Sequence, residues 1–167
     1  WAQKVYVDYD KSADFGTYKT FAWKDSNEDL RDSDPFYHER VVRGIEKRLR
    51  EGGMSQVADK PDLYVTYYTA EKKETVVYNN TLGYSWGADW YWGSGYGPST
   101  SQAVTYTLGT LIIDIWDAKK SKLIWRGTAT DTVSDNPKKV AKQIEKALDK
   151  LVKKWQREYR KLKKSKS

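Results

Sequence analysis

The sequence predicts an α+β domain in which an antiparallel sheet carries two helices on one face and extends into a long projecting β-ribbon. Several segments alternate apolar and polar residues, which is typical of strands, and two others repeat apolar residues at three- and four-residue steps, as helices do. Residues 103–117 and 122–133 are joined by a polar turn, which indicates an antiparallel hairpin. The 167 residues suit a single domain, 1–167, with no internal linker.

The first half of the chain contains two short strands and a helix. Lys4–Tyr9 and Tyr18–Trp23 are predicted strands from their alternation. Asp34-Pro35 predicts a helix start, because an acidic N-cap and a proline in the first helical position both suit that end. The pair Gly52-Gly53 predicts where this helix stops.

The second half begins with a long strand, Leu63–Tyr78, whose residues 71–74 (Glu-Lys-Lys-Glu) carry charge on both faces. A strand that is polar on both faces stands in solvent. If this strand pairs with Ala103–Asp117, the outer half of the pair projects as a ribbon. Asn136-Pro137 then opens the last helix.

The hairpin of residues 103–133 is expected to occupy the centre of the sheet. Its apolar alternation places Leu111, Ile113 and Ile115 on the helix-facing side, together with Leu123 or Ile124.

Composition excludes several functions. The chain has no Cys, so disulfides, thiol catalysis and Cys-ligated metals are excluded. No apolar run approaches the ~18 residues that a membrane-spanning helix requires. The first residue is Trp1, and we interpret the chain as a mature form from which a signal peptide has been removed.

Five segments resemble a bacterial family known as a domain of unknown function, numbered 4136. They are 5–15 (Val-Tyr-Val-Asp-Tyr-Asp-Lys-Ser-Ala-Asp-Phe) with 18–23 (Tyr-Lys-Thr-Phe-Ala-Trp), 61–65 (Pro-Asp-Leu-Tyr-Val), 109–114 (Gly-Thr-Leu-Ile-Ile-Asp) and 123–129 (Leu-Ile-Trp-Arg-Gly-Thr-Ala). The resemblance covers residues 4–155. It implies an exported envelope protein of a Gram-negative bacterium, in the periplasm or at the outer membrane, and often a lipoprotein. This chain shows no lipobox Cys, and it continues past residue 155 as a basic helix and tail.

Few residues suit catalysis or metal binding. His38 is the only His, and we expect it to be solvated or packed at an edge, since catalysis needs a partner and a pocket. Asp8, Asp10 and Asp14 suit turn hydrogen bonds better than a Ca²⁺ site. Asp114 and Asp117 are predicted to pair with Arg126 across strands. We therefore predict a non-enzymatic protein with no cofactor and no metal.

The strongest functional signal is the aromatic, Gly-rich loop of residues 79–102, at the tip of the predicted ribbon. Loops of this length are uncommon unless they are functional or disordered. Aromatic residues among glycines suit protein contacts and glycan stacking alike, and a loop folded back on its own domain is the competing interpretation. The candidate binding residues are Tyr84, Trp86, Trp90, Tyr91, Trp92 and Tyr96.

The last helix is expected to overhang the sheet, because a helix from Pro137 to Lys163 would be roughly 40 Å long. Trp155, Tyr159 and Leu162 continue its apolar stripe, so they are predicted to contact a partner. Residues 156–167 form a basic extension, and residues 137–167 carry thirteen Lys and Arg against three Asp and Glu. Such a helix suits an anionic membrane surface, or its charges form only the solvated face of an amphipathic helix.

These features predict a binding or assembly subunit of the cell envelope, which associates with itself or with another protein through the aromatic loop and the last helix. A glycan-binding module that uses the loop Trp and Tyr residues is the alternative, and nucleic acid is not an expected partner.

Overall fold

The computed structural model describes residues 3–25, 30–79 and 101–166. Within these ranges the strands are β1 (Lys4–Tyr9), β2 (Thr20–Trp23), β3 (Ser55–Gln56), β4 (Leu63–Asn79), β5 (Ser101–Asp117) and β6 (Lys122–Thr132). The helices are α1 (Pro35–Glu51) and α2 (Pro137–Lys166), and a single 3₁₀ turn covers Phe15–Thr17. The predicted α+β class with a long β-ribbon is confirmed, and none of the described helices has the length and apolar character to cross a bilayer.

The described strands form one sheet in the order β1-β6-β5-β4-β2-β3. The β5–β6 hairpin lies inside the sheet, as predicted, between β1 and β4. The sheet is not wholly antiparallel, because β2 pairs in parallel with both β4 and β3. The reason is the connection: α1 follows β2 and carries the chain back to the end of the sheet where β2 began, so the next strands run in the same direction.

Each helix begins where its capping residue predicts. The Asp34 carboxylate accepts a hydrogen bond from the backbone N–H of Tyr37 at 3.1 Å, and Pro35 occupies the first turn of α1. The Asn136 side-chain oxygen accepts from the backbone N–H of Lys138 at 3.0 Å at the start of α2. The backbone N–H of Gly52 bonds the Arg48 carbonyl and closes α1.

The core lies between one face of the sheet and both helices. On β5 and β6, Leu111, Ile113, Ile124 and Ala129 are buried, and Ile115 packs beside them, which confirms the predicted inward face of the hairpin. The other core residues come from β2, β4 and the two helices: Phe21, Leu63, Val65, Tyr67, Val41, Ile45, Ile144, Ala147, Leu148 and Leu151.

The two helices lie side by side and run parallel. A Cβ atom on Gly44 would lie only 2.5 Å from Cδ1 of Leu148, so a glycine is needed where the helices touch. Farther along, the Arg48 guanidinium reaches across to Glu145 at 2.5 Å and Asp149 at 2.8 Å. The strands that lead into the helices, β2 and β6, run in the same direction, so both helices return along the sheet in the same sense.

The α2 helix also covers the outer edge of β1. Nζ of Lys150 donates to the Gln3 carbonyl at 3.4 Å, and Nζ of Lys154 donates to the Val5 carbonyl at 3.2 Å. The opposite edge of the sheet is β3, which is only two residues long.

Candidate functional site

The β4–β5 pair leaves the sheet as a two-stranded ribbon. The last β5–β6 pair is Leu108 with Thr132, whereas β4 and β5 continue to pair for seven more positions, from Lys73 with Thr107 to Asn79 with Ser101. At ~3.4 Å per residue this extension is about 24 Å long.

One face of the ribbon base is exposed, whereas the other face is half-buried. Lys73 and Thr75 are exposed, and Oγ1 of Thr75 hydrogen-bonds Oγ1 of Thr105 at 3.0 Å across the pair. On the other face, Glu74 and Tyr106 are half-buried. The ribbon leads directly into residues 80–100. The candidate loop residues lie outside the described residues: Tyr84, Trp86, Trp90, Tyr91, Trp92 and Tyr96.

An aromatic cluster surrounds Trp155 near the end of α2. The Trp155 ring lies 4.8 Å from Phe15 and 5.1 Å from Tyr9, both edge-on, and 5.4 Å from Tyr159, stacked (centroid distances). Trp125 approaches from β6 at 6.3 Å. The Tyr9 hydroxyl also donates to the Glu158 carboxylate at 3.3 Å.

The expectation that this part of α2 overhangs the domain is wrong. Trp155 and Tyr159 contact residues of their own chain, and Leu162 is only 8% exposed. The segment after β1 extends the domain beneath the helix end and delivers Phe15 there on its 3₁₀ turn. From the sequence, only turn hydrogen bonds of Asp10 and Asp14 are predicted here, and Phe15, an apolar residue among polar neighbours, is the signal for packing.

A mostly apolar cleft of about 390 Å³ opens between α1, α2 and the sheet, beside this cluster. Its polar lining groups are Tyr18, Arg48, Gln156 and Tyr159. The Arg48 side chain is 10% exposed and is already bound to two carboxylates. The cleft offers apolar contact, and its lining contains no carboxylate, His or Ser that would act as a base or a nucleophile.

The sheet face away from the helices carries a charged network. The Arg126 guanidinium forms two hydrogen bonds with Asp114, from Nε at 2.7 Å and from Nη2 at 2.9 Å. The Tyr68 hydroxyl contacts the same two groups, at 3.0 Å from Nη2 of Arg126 and 3.3 Å from Oδ2 of Asp114. Asp114 is 2% exposed, and its hydrogen bonds raise the pKa of Arg126 above its ordinary value. The predicted Asp114–Arg126 pair is confirmed.

Asp117 does not join that pair, which corrects the prediction. Its carboxylate accepts from the backbone N–H of Lys120 at 2.9 Å and from the Tyr18 hydroxyl at 2.8 Å. The Lys120 bond lowers the pKa of Asp117, while burial and then Asp117 itself raise the pKa of Tyr18 to about 12. Asp117 ends β5, where the strand enters its turn, so its nearest donors are backbone groups of that turn.

His38 is packed at an edge, as predicted. Its Nδ1 lies 2.7 Å from the Tyr67 hydroxyl, and the same hydroxyl accepts from the backbone N–H of Leu30 at 3.1 Å. Tyr67 is 2% exposed. His38 therefore has a structural partner inside the fold.

The acidic residues near β1 make turn contacts. Asp10 accepts from the backbone N–H of Ser12 at 2.9 Å and pairs with Nζ of Lys122 at 2.8 Å. The bonds from Lys122, then those from Ser12, lower the pKa of Asp10 below its ordinary range. Within the described part of the chain, no three His, Cys, Asp or Glu side chains come together to hold a metal ion.

Comparison with known proteins identifies solved structures with a similar fold and the family to which the chain belongs. The structure resembles a PDZ domain protein from Parabacteroides distasonis, with 16% sequence identity and a TM-score of 0.51, over 86% of this chain. This chain spans only 35% of that protein. It also matches PelC from Paraburkholderia phytofirmans, solved as a dodecamer, at 13% identity and a TM-score of 0.44, over 90% of this chain and 97% of that one.

No curated protein matches the sequence. A family model described as a domain of unknown function matches residues 5–155. That range runs from β1 through the Trp155 cluster and includes the ribbon. The chain therefore belongs to the family DUF4136.

Proposed function

We propose that this protein is a non-enzymatic binding or assembly subunit of the bacterial cell envelope, which engages its partner through the β4–β5 ribbon and the loop that the ribbon carries. The observation that supports this most directly is the seven-pair extension of the ribbon beyond β6. It carries the start of the loop about 24 Å away from the sheet.

The ribbon contributes little to the stability of its own domain. A two-stranded β-structure is only marginally stable in water, and the exposed ribbon residues Lys73, Thr75 and Thr105 bury little apolar surface. A partner surface would stabilise the ribbon by covering it, and the loop supplies the large aromatic side chains that dominate binding at protein interfaces.

The end of α2 has a smaller part in this proposal than the sequence indicated. Trp155, Tyr159 and Leu162 are engaged inside the domain, so partner contact is assigned to the ribbon and loop. The proposed location, periplasm or outer membrane, follows from the family resemblance.

The direct test replaces two loop tryptophans together, Trp90→Ala with Trp92→Ala. If the loop is the interface, self-association measured by sedimentation velocity should weaken at least tenfold, while the urea unfolding midpoint stays unchanged. The matched control is Trp90→Phe with Trp92→Phe, which keeps an aromatic ring at both positions and should retain most of the association. A loss of stability in the alanine variant would instead show that the loop packs on its own domain.

A second variant tests the ribbon independently of the loop. Deleting Thr75 and Val76 with Val104 and Thr105 removes two residues from each strand, which shortens the ribbon by about 7 Å and preserves its alternation. Self-association should fall although every loop residue is retained. If both variants associate normally but the alanine variant loses retention on immobilised glycans, the glycan-binding alternative is favoured.

A further inference from the structure

The two helices concentrate the positive charge of the protein on one side. Helices α1 and α2 hold eighteen of the 30 Lys and Arg residues but only six of the 23 Asp and Glu residues, so the rest of the chain is net acidic. Both helices lie on the same face of the sheet. A charge separation of this kind orients a protein as it approaches a charged surface.

Five of the six helix carboxylates are already engaged within the chain. Two of them flank Arg48, one pairs with Arg43 at 2.6 Å, one accepts from Nε1 of Trp23 at 2.9 Å, and one accepts from the Tyr9 hydroxyl at 3.3 Å. Because these carboxylates have their own partners, they contribute little to neutralising the outer face of α2. They are Glu39, Glu46, Glu145, Asp149 and Glu158.

The outer face of α2 carries a row of cations that we call the basic stripe. Its members follow one another at spacings of three, four, seven, four and three residues, which places them within an arc of about 60° along roughly 32 Å of helix. All are exposed, and none has a carboxylate of the described chain within 4.0 Å. The basic stripe consists of Lys139, Lys142, Lys146, Lys153, Arg157 and Arg160.

We infer that the basic stripe docks the protein onto the anionic headgroup surface of a lipid bilayer, with the α2 axis lying parallel to the membrane plane. Cationic side chains near such a surface are attracted by its negative potential. The apolar face of α2 is already packed on the sheet through Ile144, Leu148 and Leu151. The binding is therefore electrostatic and peripheral, without insertion of the helix.

The shape of the stripe favours a surface over a linear polyanion. The stripe lies on the convex crest of a helix, on the side opposite the sheet, so all six cations can meet a plane at once. The neighbouring Lys150 and Lys154 do not belong to the stripe, because their Nζ atoms donate hydrogen bonds to the backbone carbonyls of Gln3 and Val5. None of the six stripe residues lines the four cavities of the described ranges that border Val140, His38, Arg126 and Trp155, and a groove is what holds a single charged strand.

The test is co-sedimentation of the full chain with vesicles of equal parts phosphatidylglycerol and phosphatidylcholine. We expect binding to these vesicles at low salt, little binding to pure phosphatidylcholine, and steep weakening as salt is raised. The variant Lys146→Gln, Lys153→Gln, Arg157→Gln should lower the partition coefficient about a hundredfold, because each cation near the surface contributes roughly fivefold.

The matched control removes the same charge elsewhere. Lys60→Gln, Lys119→Gln and Lys120→Gln are exposed positions outside the helices, and this variant should bind nearly as the wild type does. An equal loss in both variants would show that only net charge matters, and would overturn the inference. So would soluble polyphosphate binding that persists at a salt concentration which abolishes vesicle binding. Neither result tests the proposed role of the loop and ribbon, because that role is tested by measuring self-association.

Discussion

The inner and outer halves of β4 and β5 belong to the same paired strands but have opposite environments. In the inner half, Leu63, Val65 and Tyr67 are at most 5% exposed and their neighbours face the open side of the sheet. In the outer half, Lys73 and Thr75 are exposed on one face, and Tyr106 on the other face is only half-buried. Backbone pairing alone therefore does not make a strand part of the core. A strand becomes part of the core only where a second layer covers it, and the layer of helices ends where the ribbon begins.

Truncation of one apolar residue in each half tests the difference between the two halves most strongly. Ile113→Ala, in the inner half of β5, should lower the free energy of unfolding by about 2–5 kcal/mol, because the residue is 4% exposed and would leave a cavity. Val104→Ala in the outer half should cost less than about 0.5 kcal/mol. Urea denaturation measures both, and similar losses would mean that the ribbon belongs to the cooperative core.

Two glycines on neighbouring strands give a second contrast. A Cβ atom at Gly127 would lie 2.5 Å from Cη2 of Trp125 and 3.2 Å from Cδ2 of Leu151, so Gly127→Ala should cost about 1–3 kcal/mol through overpacking. At the ribbon base, a Cβ atom at Gly109 would lie 3.2 Å from the exposed side chain of Val133, which has room to move, and at an ordinary contact distance of 4.0 Å from the Asp131 carbonyl oxygen. Thermal unfolding should separate the two, and an unchanged midpoint for Gly127→Ala would contradict the packing described here.

Acid titration gives a smaller effect, at the end of the sheet away from the ribbon. Backbone hydrogen bonds lower the pKa of Asp62 and of Asp117. A lowered folded-state pKa contributes stability that is present above about pH 4 and is lost as the pH falls through the folded value. Asp62→Asn with Asp117→Asn should therefore flatten the dependence of the urea midpoint on pH below about 4. A slope as steep as that of the wild type would assign acid sensitivity to other carboxylates.

The smallest effect is expected on the ribbon itself. Thr75→Ala removes the cross-strand hydrogen bond to Thr105 and should leave global stability within about 0.5 kcal/mol, because the group is exposed. Amide hydrogen exchange of residues 73–77 should nevertheless become faster. Unchanged amide exchange at residues 73–77 would mean that the ribbon is held by something other than its own pairing.

The sequence predicted those parts of the fold that depend on local periodicity. In each case, a few consecutive residues are enough to predict the local structure. This holds for the caps at Asp34 and Asn136, the hairpin around Ile113 and the charged stretch at residues 71–74. The parallel pairing of β2 was missed because strand order depends on contacts between distant segments. The two-residue strand β3 is too short to show any alternation.

The sites divide in the same way. Pairing of Asp114 with Arg126 followed from strand register, whereas the partner of Asp117 depended on Tyr18, 99 positions away. The packing of Trp155 against Phe15 required knowing where the turn after β1 lies relative to α2. The candidate loop residues, Trp90 and Trp92 among them, remain a prediction.

The lysines that cap β1 have a consequence for how copies of this protein can join. Strand-by-strand growth requires a free backbone edge, and natural proteins block such edges with lysine or with very short strands. Here Lys150 and Lys154 occupy outward carbonyls at one edge, and the other edge ends in two residues of β3. Copies that join through β1 or β3 would form an open-ended fibre, and both of these edges are obstructed. Edge-to-edge stacking through the two ends of the sheet is therefore disfavoured.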